Sequence, residues 1–166
     1  MRELVISGAN QVLLEALQRY QVRFLLVGGL AVHFYDPTRE VGDLDLLAEP
    51  TLQNARRLVT ALRTVHVFPD PGAAERFAEG GFGFELKNYW SLSADILSEP
   101  VEAFAAHWAA ASDAVVGSVP VKVASAATML EHWSRSPPRR ADDIERLRSF
   151  LAKVRTADTD HGAPHA

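Results

Sequence analysis

Residues 42–47, GDLDLL, set two aspartates, Asp43 and Asp45, in alternation with leucines. Side chains alternate across a β-strand, so Asp43 and Asp45 share one face while Leu44 and Leu46 share the other. Carboxylates on a largely buried strand are costly unless a cation or a metal neutralises them. Such a strand needs a core on one side and a charged cleft on the other. Just upstream, VRFLLVGG (22–29) is a short apolar run that Gly28 and Gly29 end, and it reads as a buried strand. LAVHFYD (30–36) follows as a short helix, which Pro37 breaks. A glycine pair between strand and helix allows close approach to the backbone, and N–H groups at a helix start attract phosphate.

A third acidic residue extends the pattern. In SLSADIL (91–97), a strand would put Asp95 on one face with Ser91 and Ser93, and Leu92, Ala94 and Ile96 on the other. A neighbouring strand position would bring Asp95 opposite Asp43 and Asp45. Three carboxylates on a rigid sheet form an all-oxygen ligand set suited to Mg2+ or Mn2+, which leave coordination positions for water and phosphate. Two such ions about 4 Å apart clamp the attacking and leaving oxygens of a phosphoryl or nucleotidyl transfer.

The remaining segments are expected to be mixed. NQVLLEALQRYQ (10–21) places Leu13, Ala16, Leu17 and Tyr20 on one helical face. GDLDLLAEP (42–50) is a strand ended by Pro50, and TLQNARRLVTALRTV (51–65) a helix capped by Thr51. VHVF (65–68) reads as a strand and PDPGAAERFAEGG (69–81) as a loop with a helical turn. FGFELKN (82–88) and YWSLSADILS (89–98) read as paired strands, VEAFAAHWAAA (101–111) as a helix, and AVVGSVPVKVAS (114–125) as a hairpin turning near Gly117. SAATMLEHWSRS (125–136) and RRADDIERLRSFLAKVR (139–155) read as helices separated by Pro137 and Pro138. The class is α/β (α+β): a mixed sheet flanked by helices, with a helical C-terminal part.

At 166 residues and 48% hydrophobic, the chain suits one domain over 1–155. Its core is expected at about 20–100, with the hairpin and last helices at about 101–155. The stretch TADTDHGAPHA (156–166) is small and polar and is expected to be a disordered tail. Net charge is −4 with no dominant block, which argues against a broadly basic nucleic-acid surface. There are no cysteines, hence no disulfide framework or thiolate metal site, and the expected setting is the cytoplasm. No apolar run approaches the roughly 20 residues that span a bilayer, and MRELVISGANQVLLEAL (1–17) has acidic residues in a helical pattern and no small-residue cleavage site. No membrane partner and no signal peptide are expected.

Other chemistry-bearing residues have plainer readings. Arg39 either binds a triphosphate or pairs with Glu40 or Asp43. Lys87 and Lys122 read as surface residues, His33 as a half-buried structural histidine, and Trp90, Trp108 and Trp133 as core. His161 and His165 lie among Gly162 and Pro164, which deny them a helix and so a shared metal. No His–Asp constellation accompanies Ser91 or Ser93, and no P-loop or dinucleotide-binding glycine pattern occurs. The run RRADDIERLR (139–148) reads as a solvated helix face with Arg139–Asp143 and Asp142–Arg146 ion pairs.

Together, Val27-Gly28-Gly29, Ala31-Val32, Arg39, Asp43 and Asp45 resemble the nucleotidyltransferase core of the DNA polymerase beta superfamily, and more closely the AbiEii-type nucleotidyltransferases. Some of these are toxins of bacterial toxin–antitoxin systems. The likeness spans about residues 20–150 and includes the hairpin Val119–Ser125 and Asp143. It departs from the usual pattern at Val41, His132 and Arg140, where Thr, Lys and Asp are usual.

The resemblance implies a nucleotidyltransferase-type sheet and transfer of an NMP from an NTP to an acceptor hydroxyl on RNA, protein or a small molecule. Asp43, Asp45 and Asp95 would be the catalytic and metal-binding residues. Gly28, Gly29 and Arg39 would bind the nucleotide, Mg2+ or Mn2+ would be the cofactor, and a cognate antitoxin would be a partner. The alternative is an inactive binding or regulatory module on the same fold, which the three departures favour.

Overall fold

The computed structural model describes residues 2–87, 89, 91–133 and 140–160. Its strands are β1 (Arg2–Leu4), β2 (Phe24–Val27), β3 (Leu44–Ala48), β4 (Phe84–Glu85), β5 (Ala94–Ser98), β6 (Ser112–Val116) and β7 (Val119–Val123). Its helices are α1 (Gly8–Arg19), α2 (Gly28–Tyr35), α3 (Leu52–Thr64), α4 (Ala73–Ala78), α5 (Val101–Ala110), α6 (Ala126–Trp133) and α7 (Ala141–Asp160). The strands form one mixed sheet in the order β1-β6-β7-β2-β3-β5-β4. Pairs β1–β6, β2–β7 and β3–β5 are parallel; β2–β3, β4–β5 and β6–β7 are antiparallel. This is the expected mixed α/β architecture.

The alternation along β3 divides the sheet's environment as its sequence requires. Leu44 and Leu46 are 1% and 0% exposed and enter the main core with Phe24, Leu26, Ala94 and Ile96. The apolar faces of α1 and α3 supply Leu13, Leu17, Leu58 and Leu62 to the same core. The opposite sheet face carries Leu25, Val27 and Leu47, which pack against Phe104 and Trp108 of α5. Asp45 and Asp95 lie on that second face, beside its apolar patch.

Local chemistry explains several boundaries. Thr51 caps α3 by accepting from the Asn54 backbone N–H at 3.2 Å. Buried Asn54 ties that helix to the sheet, accepting from Arg23 N–H and donating to the Arg23 and Glu49 carbonyls. Asp36, extended at φ −131° as a residue before proline favours, ends α2. The chain leaves β2 and enters α2 through Gly28 at φ +67°, a left-handed conformation that suits glycine.

Four expectations change. Residues 65–68 are turn and coil, not a strand: His66 takes φ +62°, breaking the extended run, and only Val67 is buried. Near the N-terminus, residues 2–4 form β1 along β6, and the helix begins only at Gly8. β5 starts at Ala94, and Ser91 lies before it at φ +68°, so it does not continue the Asp95 strand face. Helix α7 runs on to Asp160, into the stretch expected to be disordered. The expectations for Trp90, the Pro137–Pro138 break, Arg139, and His161 and His165 lie outside the described residues. Among the described residues, no helix is long and apolar enough to cross a membrane.

Candidate functional site

The centre of the sheet supplies the site's frame. Across β2, β3 and β5, Val27 is paired with Asp45 and Asp45 with Asp95. Backbone partners project to the same face, so Asp45 and Asp95 stand side by side. Asp43 lies just before β3. Its carboxylate accepts from the Ser93 hydroxyl, while the adjacent Leu44 N–H donates to the Ser93 carbonyl at 2.8 Å. Ser93 is itself held by buried Asn10 of α1, which accepts from Ser93 N–H at 3.1 Å and donates to its carbonyl at 3.3 Å.

Lys87, expected as a plain surface residue, belongs to this cluster. Its Nζ is 3.4 Å from Asp95 Oδ2 and 3.6 Å from Asp43 Oδ2. The Asp95 charge and hydrogen bond, then the Asp43 charge, push the lysine pKa up. The three expected carboxylates thus converge, with an ammonium between two of them. Burial raises the Asp45 pKa, and the neighbouring Asp95 and Asp43 charges add to this against the opposing pull of Arg140 and Lys87. Among the described residues, Asp95 Oδ1 is buried and has no hydrogen-bond partner.

The glycines serve this packing directly. A Cβ on Gly28 would fall 2.1 Å from Asp45 Oδ2 and 2.8 Å from Asp45 Cβ. Gly28 therefore makes room for the carboxylate beside it. A Cβ on Gly29 would fall 2.8 Å from the Arg39 guanidinium.

Arg39 has neither a Glu40 nor an Asp43 carboxylate as its partner. It forks onto Asp143 of α7, with Nε to Oδ1 at 3.0 Å and Nη2 to Oδ2 at 3.2 Å, and also donates to the Glu40 backbone carbonyl. The hydrogen bond to Asp143 raises its pKa further. Asp143 is only 8% exposed, so residues 139–148 are not simply a solvated face. Arg146 likewise leaves its helical neighbour Asp142 to reach Asp36 and Thr38, each at 2.7 Å. The Thr38 hydroxyl and then Arg146 lower the Asp36 pKa to about 2. These two pairs bind α7 to the loop that leads into the aspartates.

A cavity of about 170 Å³ opens beside Gly28, Asp45 and Asp95 and extends past Leu97 to Glu99 and His107. Helix α6 covers it with Thr128, Met129, His132 and Trp133. Arg140 lines both this cavity and an adjoining polar cleft that also contains Arg39, Asp143 and Arg146. The Arg140 guanidinium stacks over Trp133, 4.6 Å from the ring centre. Of the other residues weighed, Trp133 is buried; Trp108 is partly buried, with Arg23 over its ring. Lys122 pairs with Asp113 at 2.9 Å, and half-buried His33 meets the Arg39 carbonyl through Nδ1 at 2.6 Å.

The donor set bears on metal binding in two ways. Three carboxylates meet, one with a buried, unpartnered oxygen, which is the chemistry of a hard-cation site. As they stand, however, no group of three His, Cys, Asp or Glu side chains among the described residues is arranged to hold an ion. Lys87 supplies the neutralising charge instead. Lys87 is about two-fifths exposed and sits on a turn.

No family model matches the chain, and no curated protein matches it. Among solved structures, the chain is similar to the crystal structure of an antigenic nucleotidyltransferase-like protein from Paracoccidioides brasiliensis. The identity is 17%, the match covers 87% of this chain and 75% of that one, and the TM-score is 0.48.

Proposed function

We propose that the chain is a metal-dependent nucleotidyltransferase, moving an NMP from an NTP to an acceptor hydroxyl with release of pyrophosphate. The observation that carries this reading is the convergence of Asp43, Asp45 and Asp95 beside the β2–Gly28 turn, with Asp95 Oδ1 buried and unpartnered. The resemblance of residues 27–45 to the AbiEii-type enzymes supports it from the sequence side.

In this reading Asp43, Asp45 and Asp95 hold Mg2+ or Mn2+. When bound, such an ion would supply charge neutralisation for the phosphates and Lewis-acid polarisation at the α-phosphate. Asp95 accepts the hydrogen bond of the acceptor hydroxyl and takes its proton. The acceptor oxygen forms a bond to the α-phosphorus as the α–β phosphoanhydride bond breaks, and the electron pair leaves with pyrophosphate. Backbone N–H groups at Gly28 and Gly29 cradle the phosphates. Because Arg39 is committed to Asp143, Arg140 is the better placed cation for charge stabilisation. The acceptor is an RNA, protein or small-molecule hydroxyl, and a toxin–antitoxin setting with a cognate antitoxin extends the same reading.

One observation favours a second reading, an inactive binding module: the Lys87 ammonium between Asp43 and Asp95. A transfer assay separates the two. Each of four α-labelled NTPs is incubated with manganese and total cellular RNA and protein. Label transfer by the natural chain, nearly abolished by Asp43→Asn and Asp45→Asn, supports the enzyme. Absence of transfer, with no change in melting temperature at millimolar manganese or on adding NTP, supports the module.

A further inference from the structure

Beyond Asp95, the cavity lining runs through Leu97 of β5 to Glu99, just after the strand. Four residues of extended chain put Glu99 about 13 Å from Asp95. Glu99 is 8% exposed, an unusual place for a carboxylate. His107 of α5 meets it, Nδ1 to Oε1 at 2.6 Å. In that contact His107 orients the Glu99 carboxyl group. That contact uses Oε1 of the Glu99 carboxylate. Both side chains line the cavity that also contains Asp45 and Asp95. Between the two polar ends the sheet-side wall is apolar at Leu47 and Leu97, and α6 adds Met129 and Trp133 together with Thr128 and His132.

This arrangement has a specific complement. The cavity is too small for a whole nucleotide but suits a single planar ring. With a nucleotide's phosphates at the carboxylate end, its base would enter the apolar stretch and turn its edge to Glu99. A buried acceptor held by a second side chain selects a hydrogen-bond donor and rejects a carbonyl oxygen, which it would leave unpaired and repelled. We propose that Glu99, oriented by His107, is the base-reading residue of this site and selects a nucleotide whose base presents an exocyclic amino group. This rests on the nucleotidyltransferase reading and adds its substrate preference. Cytosine and uracil isolate the effect, because they differ at the ring's 4-position by amino against oxo.

The test is equilibrium binding of CTP and UTP to the full chain with manganese, by calorimetry. The natural chain should bind CTP at least about tenfold more tightly than UTP. Glu99→Gln offers an amide that can also donate to a carbonyl oxygen, so the ratio should fall to within about twofold or invert. Circular dichroism melts establish that the variant is folded; if it is not, the ratio for the natural chain decides alone. Equal affinity of the natural chain for CTP and UTP overturns the proposal, as does an unchanged ratio in folded Glu99→Gln. Binding of both nucleotides without preference leaves the nucleotidyltransferase reading standing and removes only this proposal. Binding of neither CTP, UTP, ATP nor GTP removes both.

Discussion

Replacing Gly28 with alanine tests whether the first glycine exists to seat Asp45. Two costs combine at this position. Its φ of +67° is strained for alanine, by about 1–2 kcal/mol. The new Cβ would also lie 2.1 Å from Asp45 Oδ2 and 2.8 Å from Asp45 Cβ and Cγ. The carboxylate can rotate away, but its Cβ moves only with β3, so overpacking adds about 1–3 kcal/mol. The expected loss is about 2–5 kcal/mol, a large share of the 5–15 kcal/mol typical of a domain. Two controls divide the sum. Gly80→Ala keeps a positive φ, +84°, with nothing within 4 Å of the new carbon, so it should show the backbone cost alone. Gly42→Ala has neither feature and should change stability by less than about 0.5 kcal/mol. Urea denaturation of the three variants, each with and without Asp45→Ala, measures the set. Removing the Asp45 carboxylate should relieve part of the Gly28→Ala cost and leave the Gly80→Ala cost alone. A Gly28→Ala loss equal to that of Gly80→Ala, and indifferent to Asp45, would refute the contact argument.

Three further outcomes follow from the ion pairs and buried acids. Arg39→Gln and Asp143→Asn should each cost about 1.5–3 kcal/mol, with the double variant costing clearly less than their sum; additivity in a denaturation cycle would remove the forked pair from the stability account. Asp36 titrates near 2 in the fold against an ordinary 3.8, so its stabilisation is complete above about pH 4 and is lost as pH falls towards 2. Asp36→Asn should flatten that part of the stability–pH curve, and an unchanged slope counts against the Arg146–Asp36 contact. Asp45 has the opposite sign: its pKa is raised, so its ionisation costs stability as pH rises through the folded value. In EDTA at pH 7, Asp45→Asn should therefore be at least as stable as the natural chain, and clear destabilisation would show that the carboxylate makes a structural bond instead.

The strand–glycine–helix–strand unit was legible because each of its boundaries is set by neighbours in sequence. Phe24–Val27 is apolar, Gly28 permits the turn, Pro37 ends the helix, and the leucines on either side of Asp45 fix which face of β3 enters the core. Because period-2 alternation determines side-chain direction, Asp45 and Asp95 could be placed on the cavity face before their pairing was known. The same rule misled at VHVF, where a β-branched pattern suggested extension but His66 adopts a positive φ and only Val67 reaches the core. It also failed for β1, whose three residues are strand only because β6 lies alongside.

Partnerships across long sequence separations were less accessible. Lys87 meets Asp43 and Asp95 because β4 packs on β5, which places the turn after β4 beside the carboxylates. His107, only eight residues after Glu99, reaches it through the turn into α5, which no local pattern marked. Asp143 is more instructive, since its own helix contained the signal. It lies four residues before Leu147, which is fully buried, and residues at that spacing share a helix face. A carboxylate on the buried stripe of an amphipathic helix must meet a cation from another element. Reading 139–148 for charge alone gave local pairs along the helix; reading it for the position of Leu147 turns Asp143 inward and requires a distant basic partner. Arg39, on the loop before the aspartates, is that partner, so the contact that fastens α7 also fixes the segment from which Asp43 and Asp45 project.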